Sequence, residues 1–210
     1  MSMAIKQSKA VLIIACMYGD FEVYESVLKD IIENFNSVKI IGEEYLFSHS
    51  IYYKEEMGEN LKKRFLVFEN MIERDYLVEA KKITDKIEKK YLDEKGGRKI
   101  NIDPAILTLE NFILATNKNF THRIYLKDGV FADLTLIYKK KKGYSELDWT
   151  YADYSSEETK SFLNNVRDLF YNRLIESSPF AKGGASLGAN GNRKFTKSLK
   201  NIKPPVKAAL

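Results

Sequence analysis

Residues 11–18 (VLIIACMY) form a short apolar run with no polar alternation, closed by Gly19-Asp20. A run of that length predicts a strand buried on both faces, and so central in its sheet. Asp20 is placed to cap a helix. Val23, Tyr24, Val27, Leu28, Ile31, Ile32 and Phe35 then recur at the three- and four-residue steps of one helical face. Residues 38–41 supply a second strand. The pattern runs again: residues 63–69 (KRFLVFE) have strand composition, and residues 73–93 read as a charged helix. Leu77, Ala80, Ile83, Thr84, Ile87 and Tyr91 form its inner stripe, and Gly96-Gly97 is placed to end it. A short strand at 98–102 follows, stopping before Asp103-Pro104.

Two strand-helix-strand units in succession predict an α+β fold, a ferredoxin-like antiparallel sheet with helices on one face. Residues 121–125 and 130–139 flank Lys127-Asp128-Gly129 and predict an added β-hairpin, because Asp-Gly supplies the two left-handed residues of a tight turn. Strict alternation on its second strand puts Val130, Ala132, Leu134, Leu136 and Tyr138 on one face. A C-terminal helix is predicted from about Ser155, where Ser155 and Glu158 have capping-box spacing and Phe162, Leu163, Val166, Leu169, Phe170 and Leu174 share one side.

Composition changes this picture mainly at the C-terminus. With 44% hydrophobic and 12% aromatic residues in 210, the chain is excluded from global disorder and from collagen-like or coiled-coil architecture. The net charge of +5 hides an asymmetry: residues 178–210 hold seven Lys and Arg and no Asp or Glu, which leaves residues 1–177 at −2. Four of the 11 glycines and three of the four prolines lie in the same stretch. The reading is a single α+β domain over 1–177 and a flexible basic tail over 178–210. Phe195, Leu199, Ile202 and Val206 make a helical stripe among lysines in that tail, suited to RNA, an acidic protein groove or an anionic membrane, or to solvation alone. The lone Cys16 sits in the most apolar run and reads as a small buried hydrophobe in a reducing compartment. No run approaches the ~20 residues of a transmembrane segment and no leader pattern is present, so a cytoplasmic location is expected.

Motif chemistry is sparse. Gly183 and Gly188 have the spacing of a phosphate-binding loop, but Ala189 and Asn190 stand where its lysine and hydroxyl belong. Tyr18-Gly19-Asp20 does not make a dinucleotide-binding turn. His49 and His122 are too few for an imidazole metal site, and no metal or cofactor is assigned. Asp103 or Asp133 with His122 is the one mixed set, against the alternative of a histidine bonded to a neighbour. Residues 49–56 mix His49, Tyr52, Tyr53, Glu55 and Glu56 in a stretch without clean period, which suits an active-site loop or a charged turn. Arg98, Asn101 and Asp103 cluster at one strand end and Lys118, His122 and Arg123 near the hairpin. Together they make either an anion pocket or a solvated rim.

Four stretches, FSHSIYY at 47–53 leading into Glu56-Met57-Gly58, RKINIDP at 98–104, ATNKNFTHRIYL at 115–126 and TYADY at 150–154, resemble in that order a family of bacterial proteins of unknown function. The resemblance spans about residues 10–174 and stops short of the tail. Some members are labelled GTP-binding in genome descriptions, yet Asn117-Lys118-Asn119-Phe120 departs from the guanine-reading N-K-x-D pattern at its last position. The resemblance implies one surface joining the Tyr53 and Glu56 loop, the Asn101–Asp103 segment and the His122-Arg123 strand. The expected function is binding of a small anionic ligand, such as a nucleotide or phosphate ester, by Tyr53, Glu56, Arg98, Asn101, Asp103, Lys118 and Arg123. His122 is then the candidate catalytic acid or base. The alternative is a non-enzymatic interaction protein that binds RNA or a protein partner through its tail.

Overall fold

A computed structural model of the chain describes residues 9–47 and 56–176. His49, Tyr53 and the basic tail lie outside the described residues. The described chain is a mixed α+β structure: a nine-stranded antiparallel sheet and four helices. In chain order it runs β1 (Ala10–Tyr18), α1 (Phe21–Phe35), β2 (Val38–Ile41), β3 (Tyr45–Leu46), β4 (Lys62–Ile72), α2 (Tyr76–Lys90) and β5 (Ile100–Leu107). Then follow β6 (Asn111–Thr116), β7 (Arg123–Lys127), β8 (Val130–Lys139), β9 (Gly143–Glu146), α3 (Ala152–Ser155) and α4 (Glu157–Glu176).

The apolar run at the N-terminus becomes β1, buried along its whole length between β4 and β5. Its alternate residues feed two cores. Leu12, Ile14, Cys16 and Tyr18 meet Tyr24, Val27, Ile31 and Phe35 of α1 and Ala80 and Ile87 of α2. Val11, Ile13 and Ala15 meet Leu163, Val166 and Phe170 of α4 on the opposite face. Burying each such aliphatic side chain contributes about 1.5–3 kcal/mol, so the sandwiching of β1 is a main source of stability. Asp20 caps α1 as expected, its side chain accepting from the Glu22 N–H at 2.8 Å. Helix α2 ends at Lys90, well before the glycines. Gly96, at φ +82°, instead turns the connector into β5, with the Asp93 carboxylate accepting from the Lys95 and Gly97 amides.

The sheet is larger than expected, in the order β2-β4-β1-β5-β6-β8-β7, with β3 beside β4 and β9 beside β8. Strand β5 does not stop before Asp103-Pro104 but continues through them, because β1 pairs with it over its full length, Ile14 opposite Pro104. Its other edge is different. Pairing with β6 covers only Ala105–Leu107 opposite Leu114–Phe112, and the two strands part at Pro104. Proline has no N–H to offer a neighbouring strand. The next donor along that edge, the Ile102 N–H, goes to the Glu88 carboxylate of α2 instead of a strand.

The hairpin forms as predicted around Asp128 and Gly129, both left-handed at φ +53° and +81°. The strict alternation expected on β8 does not hold. The register against β6 shifts between Phe112 and Ile113, a bulge that makes Thr135 an extra residue. Val130 therefore packs with Leu77 of α2, whereas Leu136 packs with the α4 core on the other face. The C-terminal helix is capped by Ser156, whose hydroxyl accepts from the Thr159 N–H at 3.2 Å, not by Ser155, which closes the short α3. No described helix is long and apolar enough to cross a membrane.

Candidate functional site

The gap between β5 and β6 opens into a cavity of about 380 Å³, within the range of small-molecule sites. Each of its walls is built by a different element. Strand β4 sends in Lys63, which shares a face with Phe65 and Val67 but ends in an ammonium. Lys63 pairs with Asp153 of α3, both side chains 5% exposed, and its Nζ lies 3.9 Å from the centre of the Tyr154 ring. Phe65 and Phe47 complete the surround at 5.6 and 5.9 Å. A buried ion pair contributes little net stability because desolvation offsets the attraction, so one that opens onto a cavity points to a functional use.

Strand β5 and its approach hold a chain of polar contacts. Arg98 donates through Nε and Nη2 to both carboxylate oxygens of Glu56 at 2.7 Å, and through Nη1 to Asn101 Oδ1 at 2.8 Å. Asn101 Nδ2 donates to Asp103 Oδ2 at 2.6 Å. The Arg98 hydrogen bonds hold the Glu56 carboxyl below the usual range, against a smaller opposing effect of burial. Opposite, Arg123 of β7 donates through Nε to Asp133 Oδ2 at 2.9 Å, through Nη1 to the Lys118 carbonyl at 3.0 Å, and through Nη2 to the Tyr151 hydroxyl.

Helix α2 closes the last side with Lys81, Asp85 and Glu88. Lys81 Nζ lies 3.0 Å from Asp85 Oδ1, and Asn117 Nδ2 donates to Asp85 Oδ2 at 2.6 Å. Burial works against the Lys81 ammonium, but Asp103, Glu88 and Asp85 outweigh it and hold its pKa above the ordinary lysine value. Glu88 shows the opposite balance. Burial and the nearby Asp103 carboxylate outweigh Lys81, Arg98 and the Ile102 amide, and its carboxyl is pushed up to about 7. A carboxyl with that value can hold or release a proton near neutrality.

Of the residues picked from sequence, Arg98, Asn101, Asp103, Lys118 and Arg123 line this one cavity, and Glu56 is tied to it through Arg98. His122 does not line it. Its ring stacks on Trp149 at 5.0 Å and stands behind Asp133, with Nε2 3.3 Å from Oδ2. Among the described residues no three of His, Cys, Asp and Glu are grouped so as to hold a metal ion. Lys63, Lys81, Glu88, Asp153 and Tyr154 were not among the site residues picked from sequence, although Asp153 and Tyr154 lie in the TYADY stretch. The other three had a periodic signal: alternation in KRFLVFE puts Lys63 on the Phe65 face, and the steps Leu77, Lys81, Thr84, Glu88 follow an inward-facing stripe of the helix.

Residues 8–170 match the family described as Domain of unknown function (DUF4416), so the chain belongs to that family. No curated protein and no solved structure matches the chain.

Proposed function

We propose that this chain, as a member of the DUF4416 family, binds a small anionic ligand of the nucleotide or phosphate-ester class in the gap between β5 and β6. The observation that carries the reading is convergence. Lys63, Lys81, Arg98, Lys118 and Arg123 come from five separate segments and line one cavity of about 380 Å³. Lys63 and Lys81 each commit one of three N–H donors to a carboxylate, which leaves donors for ligand oxygens. Tyr151 and Tyr154 add aromatic surface for an organic moiety. Arg98 and Arg123, engaged by Glu56, Asn101, Asp133 and Tyr151, shape the walls and place the other cations. The order β2-β4-β1-β5, with α1 and α2 packed on one core, supports a ferredoxin-like reading of the N-terminal half of the sheet.

Thermal unfolding of the full 210-residue chain against nucleotides, sugar phosphates and phosphorylated carboxylic acids tests the proposal. A ligand at one hundred times its Kd stabilises by about 2.7 kcal/mol. For a chain of this size that is a rise of about 5–10 °C. The rise should shrink in Lys81→Met and in Lys118→Ala. A panel with no stabilising member, or a rise that survives both substitutions, refutes the site.

A further inference from the structure

Four of the five cations that line the cavity already meet a carboxylate. Lys63, Lys81, Arg98 and Arg123 each contact a carboxylate, that of Asp153, Asp85, Glu56 and Asp133 respectively. Two further carboxylates line the same space and make no ion pair among the described residues: each is held by an amide instead. Asp103 accepts from Asn101 Nδ2, and Glu88 accepts from the backbone N–H of Ile102. An anion that enters here adds negative charge to a space holding two carboxylates without a cation at contact distance. The cheapest way to restore the balance is a proton on one of them.

Glu88 is the better acceptor. It is 8% exposed, and the groups that face it are Lys81 on its own helix, Arg98 and Asp103 from the β5 side and the Cys16 thiol of β1. Its carboxyl already sits near neutrality from burial and the proximity of Asp103, and a bound anion pushes it further in the same direction. Resting on the anion reading of the cavity, we infer that the site takes up its anion together with one proton, which Glu88 accepts. Glu88 thereby selects for ligands delivered as the acid form, or for conditions on the acid side of neutrality.

Sulfate is the probe, because it does not change protonation between pH 6 and 8. Calorimetric titration of the full chain with sulfate, in buffers of different ionisation enthalpy, should show uptake of about three-quarters of a proton at pH 7.5. Affinity should fall by about fivefold from pH 7 to pH 8, because Glu88 is already about half protonated at pH 7, and the uptake should vanish in Glu88→Gln. Sulfate that binds equally at pH 6 and 8 without proton uptake overturns the inference and leaves the anion site standing. Uptake that persists in Glu88→Gln but disappears in His122→Gln assigns the proton to His122 and overturns it too. No sulfate binding at either pH overturns the anion reading itself. The pH and buffer dependence of the wild-type chain decides the proton question even if Glu88→Gln does not fold.

Discussion

Removing one partner of the Lys63–Asp153 pair strands the other charge in a site that is 5% exposed. The stranded group can escape by changing protonation, and that sets a ceiling on the damage. At 1.36 kcal/mol per pH unit, neutralising an amine of pKa about 10.4 at pH 7 costs about 4.6 kcal/mol, and a carboxyl of pKa about 3.9 about 4.2 kcal/mol. In Asp153→Asn the Tyr154 ring, 3.9 Å from Nζ, still attracts the ammonium by about 1–2 kcal/mol. That substitution should therefore cost about 2.5–3.5 kcal/mol, and Lys63→Met about 4 kcal/mol. The double variant leaves no charge behind and should stay within about 2 kcal/mol of the wild type. Urea unfolding of the four proteins measures the cycle. The pH dependence is the sharper check, because the two single variants must respond in opposite senses. Lys63→Met regains stability as pH falls and Asp153 takes a proton, whereas Asp153→Asn regains it as pH rises and Lys63 loses one. Costs that add to within about 0.5 kcal/mol, or pH slopes of the same sign, refute a coupled buried pair.

Glu88→Gln tests the raised carboxyl without any ligand. A folded-state value of about 7 against 4.5 means that the wild-type contribution of Glu88 is present at low pH and lost as pH rises through 7. The stability of the variant relative to wild type should climb by about 3 kcal/mol between about pH 4.5 and 8 in urea titrations, and a difference that stays flat contradicts the assignment. Gly143→Ala should lower stability by about 1–3 kcal/mol, since φ is +81° and a Cβ would lie 2.6 Å from Asn164 Nδ2. Thermal unfolding should show a smaller penalty in an Asn164→Ala background. An equal penalty there would deny the clash a part.

Where burial follows local chemistry, the sequence was readable. Strand β1, helix α1 and the Asp128-Gly129 hairpin were legible because an unbroken apolar run, a 3.6-residue period and a turn dipeptide each encode structure within a few residues. Strands β6 and β9 were not anticipated. β6 owes its place to pairing with β8, and β9 is fixed from afar, with Asn164 of α4 accepting from the Tyr144 N–H. The bulge at Thr135 inverted the expected faces of β8, a register effect that no alternation count contains. Five of the residues named from sequence did meet around one cavity, because Arg98 on the approach to β5 and Asn101 and Asp103 within it face Lys118 and Arg123 across the gap. The buried cations stayed hidden for a physical reason. A lysine at a core-facing strand position is indistinguishable in sequence from one on an outer face until its partner, here ninety residues away, is folded against it.

The opening at Pro104 also bears on how the chain avoids sticking to itself. An edge inside a sheet, left without a partner strand, is a template on which a foreign strand could zip and begin a fibre. Along this edge one donor is absent, at Pro104, and the next is occupied by the Glu88 carboxylate. The seam can thus stay open to small solutes while it refuses a polypeptide, so a hole in the sheet need not become a seed for aggregation.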